Sequence, residues 1–187
     1  ELSRAYSFLS SLARQMGLEC RNYDNRVAVV EQGGGPQVIG LPLHVDVVPS
    51  GDGWHYPAFG GMIEDGVLYG RGAQDNKGPI IAMLYALHCL RQLGLPFRRT
   101  VRLIVASQEE TGDWGDIDFY LEKEPAPDLS IVADSEFPIV NGEKGMVDIA
   151  VRLRWANPLE QSSPLEFHSL VGGDRPNVVP NRAELVW

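Results

Sequence analysis

LPLHVDVVPSGDGWHYPAFGGMIEDGVLYGRGAQDNK, residues 41–77, decides how the rest of this chain is read. An apolar run ends in His44 and Asp46, two residues apart, and a Gly-rich turn then delivers Asp75 at the start of a helical stretch. Residues i and i+2 of a strand share a face, so the imidazole of His44 and the carboxylate of Asp46 can meet side by side. That pairing suits a metal-binding histidine whose second ring nitrogen is held by an acid.

Working outward, Leu2 to Met16 has helical apolar spacing and Gly17 stops it. Leu18 to Tyr23 and Arg26 to Val30 read as two short strands about a turn at Asp24 and Asn25. Gln37 to Val48 reads as a buried strand, with regular pairing expected to end near Gly40 because Pro42 has no N–H for a ladder. Met62 to Tyr69 is expected to be a hairpin turning at Asp65 and Gly66. Lys77 to Leu93 is apolar on nearly all sides, as in a helix buried on a sheet, with Asp75 or Asn76 as its cap. Thr100 to Ser107 is the clearest buried strand and runs into Gln108, Glu109 and Glu110. Trp114 to Lys123 reads as an amphipathic helix, Leu129 to Ala133 as a short strand ending at Asp134, and Met146 to Trp155 as an alternating strand. Strands alternating with helices predict an α/β domain with a central sheet.

Three apolar strands thus end in imidazole or acid: His44 with Asp46, Glu109 with Glu110, and Asp134, with Asp75 between. Open α/β sheets bind ligands at the carboxyl ends of their strands. Carboxylates gathered there repel one another unless cations share the site, and two divalent ions would supply the compensating charge. A mixed N and O donor set without thiolates suits zinc, manganese or cobalt better than a structural Cys-based zinc or an all-oxygen calcium site.

Composition narrows the class. An apolar fraction of 44% and a charged fraction of 22% over 187 residues are those of a globular protein with a real core. A net charge of −9 argues against nucleic acid or an anionic membrane as partner. Cys20 and Cys89 lack CxxC spacing, and neither a signal peptide nor a membrane-length apolar run is visible, so a cytoplasmic location is expected. His88 is expected to be a satisfied core residue, and His55 and His168 ordinary polar groups. Asp113, Asp116 and Asp118 are expected at the surface, Lys77 and Gly78 in the turn, and Trp54 and Trp114 in packing.

HVDVVP (44–49), GRGAQDNKG (70–78), the Glu109–Glu110 pair after a strand, and VADSE (132–136) together resemble the zinc-dependent exopeptidase superfamily of carboxypeptidase G, aminoacylase and desuccinylase. EETGDWGDIDFYLEKEPAPD (109–128) followed by DSEFPIVNGEKG (134–145) is most similar to the peptidase V type dipeptidases. The resemblance implies a three-layer catalytic domain, with a mostly parallel sheet flanked by helices and interrupted by an inserted lid. Residues 1–172 would be catalytic and 173–187 would begin the lid. It implies two divalent ions, most simply zinc, with His44 and Asp134 on one, Asp75 bridging, and Glu110 on the other. Asp46 would orient His44, Glu109 would be the general base, and Asn177 would help hold substrate. A cis peptide bond is expected after Asp75.

The implied reaction is attack by a metal-bridging hydroxide on the amide of dipeptides or other short unblocked peptides. Small peptide substrates would be the partners, and nothing bears on oligomeric state. Deacylation of N-acyl amino acids, or a catalytically silent metal-binding fragment, are the alternatives. The histidine that such enzymes bring to the second metal late in the chain has no match here, so the chain is expected to be a portion that ends on entering the lid. By itself it should bind metal incompletely and hydrolyse little.

Overall fold

The computed structural model describes residues 1–145, 147, 149–152, 168–173 and 182–187. They form two compact units, Glu1–Val140 and Asn141–Trp187. In the first, helix α1 (Leu2–Gln15) precedes strands β1 (Glu19–Tyr23), β2 (Val27–Gln32) and β3 (Val38–His44). A hairpin, β4 (Met62–Glu64) and β5 (Val67–Tyr69), leads to helix α2 (Gly78–Gln92). Strand β6 (Thr100–Ala106), helix α3 (Gly115–Lys123) and the two-residue strand β7 (Leu129–Ser130) follow.

The sheet order is β1-β2-β6-β3-β7, with β6, β3 and β7 mutually parallel and β2 antiparallel to both of its neighbours. Only β2 runs against the others, which gives the mostly parallel sheet. Helices cover both faces. Ala28 and Val30 of β2 and Leu103 and Val105 of β6 pack with Tyr6, Leu9 and Ala13 of α1 and Ile80, Leu84 and Leu87 of α2. Val27, Val29 and Ile104, pointing the other way, pack with Tyr120 of α3. The alternation of a strand's side chains thus fills two cores from one sheet, a three-layer arrangement.

Several elements differ from the sequence reading. Regular pairing of β3 does not end at Gly40; Pro42 lies opposite Ile104 and the ladder with β6 continues to His44 opposite Ala106. The Val45 N–H donates to Ala106. By alternation the Pro42 nitrogen faces the β7 side, where pairing has already stopped at Gly40, so the missing donor costs no ladder bond. Helix α2 buries one stripe, Ile80, Leu84 and Leu87, and leaves Tyr85 and Leu90 exposed. Neither Asp75 nor Asn76 caps it; Lys77 holds the N-cap position without a side-chain cap bond. Within 146–155, residues 147 and 149–152 are in no strand and the apolar ones are exposed, while the rest of that stretch lies outside the described residues. The second unit has one described hairpin, β8 (Ser169–Gly172) with β9 (Ala183–Val186). Among the described residues no helix is long and apolar enough to cross a membrane.

Away from the strands' carboxyl ends, charge is buried in pairs. Arg102 in the middle of β6 is 6% exposed; its Nε donates to Glu31 at 2.5 Å and its Nη1 to the Tyr120 hydroxyl at 2.8 Å. Arg21 reaches Glu31 at 2.6 Å and Glu124 at 2.9 Å. Burial alone would raise the Glu31 pKa, but hydrogen bonds from Arg21 and Arg102 bring it below the ordinary glutamate value. A carboxyl with a lowered folded pKa contributes stability that is present above its unfolded value of about 4.3 and lost as pH falls through the folded value. Arg102→Ala is therefore expected to cost about 3 kcal/mol at neutral pH, because it strands buried partners. That penalty should shrink as pH falls below about 4, read by urea unfolding.

Candidate metal centre

His44 is the last residue of β3, and its side chain is 2% exposed. Its Nδ1 lies 3.1 Å from the Asp46 carbonyl and 3.3 Å from Asp46 Oδ1, the i, i+2 contact expected from the strand. Its Nε2 is turned to three acids from three other segments: Asp75 Oδ1 at 2.9 Å, Asp134 Oδ2 at 3.3 Å and Glu109 Oε2 at 3.8 Å. Nε2 is nevertheless buried without a hydrogen bond. A nitrogen lone pair cannot rest stably among carboxylate oxygens unless a proton or a cation stands between them.

Donor atoms of His44, Asp75 and Asp134 lie within 4.8 Å of one another, a spacing one metal ion could span. The orphaned nitrogen, the converging acids and the lack of thiolate fit a divalent cation of borderline hardness. Without it, burial disfavours the charged imidazole. The Asp46 hydrogen bond and the charges of Asp134, Glu109 and Asp46 outweigh that and hold the His44 pKa at about 9. An incoming metal must therefore displace a proton at neutral pH. Apparent affinity is expected to rise about tenfold per pH unit from about 7 to about 9 and flatten above, read by competition with a chromophoric chelator.

Asp75 is placed by the wide turn Ala73–Lys77, in which the Lys77 N–H returns to the Gly72 carbonyl at 3.1 Å. Gly72 has φ +78°, and a Cβ there would meet the Lys77 ammonium and the Val47 side chain. The Asp75–Asn76 peptide bond is cis, as the resemblance implies. Asn76 is fully buried, and its amide donates to the Asp134 carboxylate and to the Ala133 carbonyl. The sequence offers Asn76 only as a helix cap; in the structure it anchors the acid that follows β7.

Glu109 and Glu110 diverge, as adjacent residues beyond a strand end should. The Glu109 carboxylate turns to His44, while Glu110 accepts the Val48 N–H at 3.2 Å and stands outside the converging triad. The Glu110 N–H donates to Asp46 Oδ2 at 2.9 Å, so one acid supports both the imidazole and the segment after β6. Burial lifts the Glu109 pKa; His44 opposes this, and the charges of Glu110, Asp134 and Asp46 add to it. The Asp46 pKa is lowered: burial is outweighed by the bonds from His44 and the Glu110 amide.

Other expectations fare variously. His88 Nδ1 is satisfied by the Met16 carbonyl at 3.0 Å, and His55 and His168 are exposed. Trp54 and Trp114 are not packed inside: Trp54 is exposed with Arg71 over its ring, and Trp114 precedes α3 in a left-handed conformation. Asp113 and Asp118 are exposed, but Asp116 is buried, contrary to expectation. Asn177 lies outside the described residues. A cavity of about 570 Å³ opens beside the triad, lined by Arg71, Gln74, Asp75, Asp134, Ser135 and Glu136 among others. That volume suits a ligand of a few residues.

A family model described as peptidase family M20/M25/M40 matches residues 40–179. The provisionally named dipeptidase YtjP of Bacillus subtilis (strain 168) is 37% identical over 178 residues, 95% of this chain and 38% of that protein. The provisionally named dipeptidase SSP1012 of Staphylococcus saprophyticus is 33% identical over 180 residues, 96% of this chain and 38% of that protein. The chain thus spans 38% of the length of these curated relatives. Among solved structures, human carnosine dipeptidase 1 matches with a TM-score of 0.60 and 25% identity, covering 72% of this chain and 33% of that one. The M20 family metallo-carboxypeptidase Sso-CP2 from Sulfolobus solfataricus shares the fold at TM-score 0.59 and 24% identity, covering 70% of this chain and 32% of that one.

Proposed function

Because this chain belongs to peptidase family M20/M25/M40, we propose that it is the metal-binding part of an enzyme that hydrolyses dipeptides or other short unblocked peptides. The observation that carries the reading is the buried His44 Nε2, unbonded and faced by Asp75, Asp134 and Glu109. The family and the names of the relatives support peptides as substrates. The proposal extends to two divalent ions, zinc in the first place. His44 and Asp134 would hold one, Asp75 would bridge, and Glu110 would hold the other. It also takes residues 1–172 as catalytic, 173–187 as the start of a lid, and Asn177 as a substrate contact. A cytoplasmic location is part of it and rests on the free thiols of Cys20 and Cys89.

When bound, such ions acidify a water toward neutrality and polarise a carbonyl oxygen. The chain's own residues would do the rest. Asp46 holds the His44 ring through Nδ1 and so keeps Nε2 free to ligate. Glu109, whose pKa is raised, takes the proton of the attacking water at its carboxylate and returns it to the leaving amine. The cavity walls at Arg71, Gln74 and Glu136 hold the peptide beside these groups.

Deacylation of N-acyl amino acids calls for the same centre, and the substrate pocket decides between the two. The test is hydrolysis by the full-length protein, zinc-loaded, of unblocked dipeptides against acetylated amino acids. Faster turnover of dipeptides is expected, and preference for the acetylated substrates would overturn the dipeptidase reading.

A further inference from the structure

We propose that Asp116 is a positioning residue for the proposed general base, closing the neck of the loop that carries Glu109 and Glu110; this rests on the peptidase reading above. Strand β6 ends at Ala106 and α3 begins at Gly115. The segment between carries both glutamates and turns Glu109 to His44.

Asp116 is 1% exposed, and a carboxylate that deep must have its oxygens satisfied. Oδ1 accepts the Ile117 N–H at 2.7 Å, within the first turn of α3. Oδ2 accepts the Ser107 N–H, the first residue beyond β6. One carboxylate therefore joins the two ends of the loop. Ser107, itself 8% exposed, donates through Oγ to the Arg26 carbonyl at 3.0 Å, and the Tyr6 hydroxyl donates to the same carbonyl at 2.7 Å. The neck is thus tied to Arg26, just before β2, and through it to α1, as well as to α3.

Within the loop, the Gly112 N–H returns to the Glu109 carbonyl at 2.9 Å and the Thr111 hydroxyl to Gln108 at 3.0 Å. On the side facing the metal centre, the Glu110 N–H is held by Asp46. Two carboxylates, Asp46 and Asp116, thus grip the backbone three residues apart, with Glu109 between the grips. Two backbone steps span at most about 7 Å, so Ser107 cannot shift far without moving the Glu109 carboxylate from its place 3.8 Å from His44 Nε2. A neutral amide at position 116 has one acceptor oxygen for two N–H groups, and one of them loses its partner.

The test compares wild type with Asp116→Asn in the full-length, zinc-loaded protein. Amides of residues 108–112 are expected to exchange with solvent at least about tenfold faster, with β2 unchanged. Turnover of glycyl-leucine is expected to fall about 10- to 100-fold, with KM within about threefold of wild type and metal content unchanged. Unchanged exchange in the loop overturns the proposal. So does wild-type kcat per folded molecule alongside a lower melting temperature, which marks Asp116 as a helix stabiliser only. Should Asp116→Asn not be recovered folded, Asp116→Ser, which keeps a single acceptor, is judged by the same two measurements. Should wild type cleave no dipeptide, the peptidase reading fails by itself and loop exchange decides the role of Asp116.

Discussion

Glu109→Gln in the full-length protein is expected to lower kcat by about 10²- to 10⁴-fold, the usual contribution of a positioned proton acceptor. Glutamine fills the same space but cannot take a proton. Glu109 is suited to the work by its surroundings: burial and the charges of Glu110, Asp134 and Asp46 raise its affinity for a proton, while His44 restrains it. Its carboxylate also lies the farthest of the three acids from His44 Nε2, at 3.8 Å against 2.9 and 3.3 Å. That distance supports the proposed role of base over that of ligand. Elemental analysis of the variant should show wild-type metal. A variant with turnover within tenfold of wild type would remove Glu109 from the role of base.

His44→Ala is expected to abolish metal binding at the proposed site, reducing metal per chain and lowering activity by more than about a hundredfold. That exceeds the 10- to 100-fold typical of changes to outer partners, which is the range expected for Asp46→Asn. The nitrogen donor of the triad disappears, and Asp75, Asp134 and Glu109 are left facing one another. Equilibrium dialysis against zinc measures the first effect and steady-state kinetics the second. Retention of wild-type metal content would mean that the ions sit elsewhere.

The convergence of these side chains was legible because it depends on strand ends. An apolar run stopping at His44 and another stopping before Glu109 reveal their shared edge once both are strands of a parallel pair, and Asp46 follows from a period of two. The three-layer sheet was legible for the same reason. What escaped depends on partners distant in the chain. Pro42 is harmless only because its nitrogen faces a side where β7 has already ended. Asn76 looks like a helix cap and Asp116 like a surface residue until the Ala133 carbonyl and the Ser107 N–H are seen beside them. The alternation over Val147, Ile149 and Val151 suggested a strand, but those residues have no ladder partner among the described residues, and pattern alone does not make a sheet.

The pairing of His44 with Ala106 makes the imidazole the terminal rung of the β3–β6 ladder. Fraying of that end by a single rung would carry the ring, with Asp46 on the same segment, away from Asp75, Asp134 and Glu109 together. A captured cation would therefore act as a clasp on the tip of the sheet, and a loosened tip would shed the cation well before the helices melt.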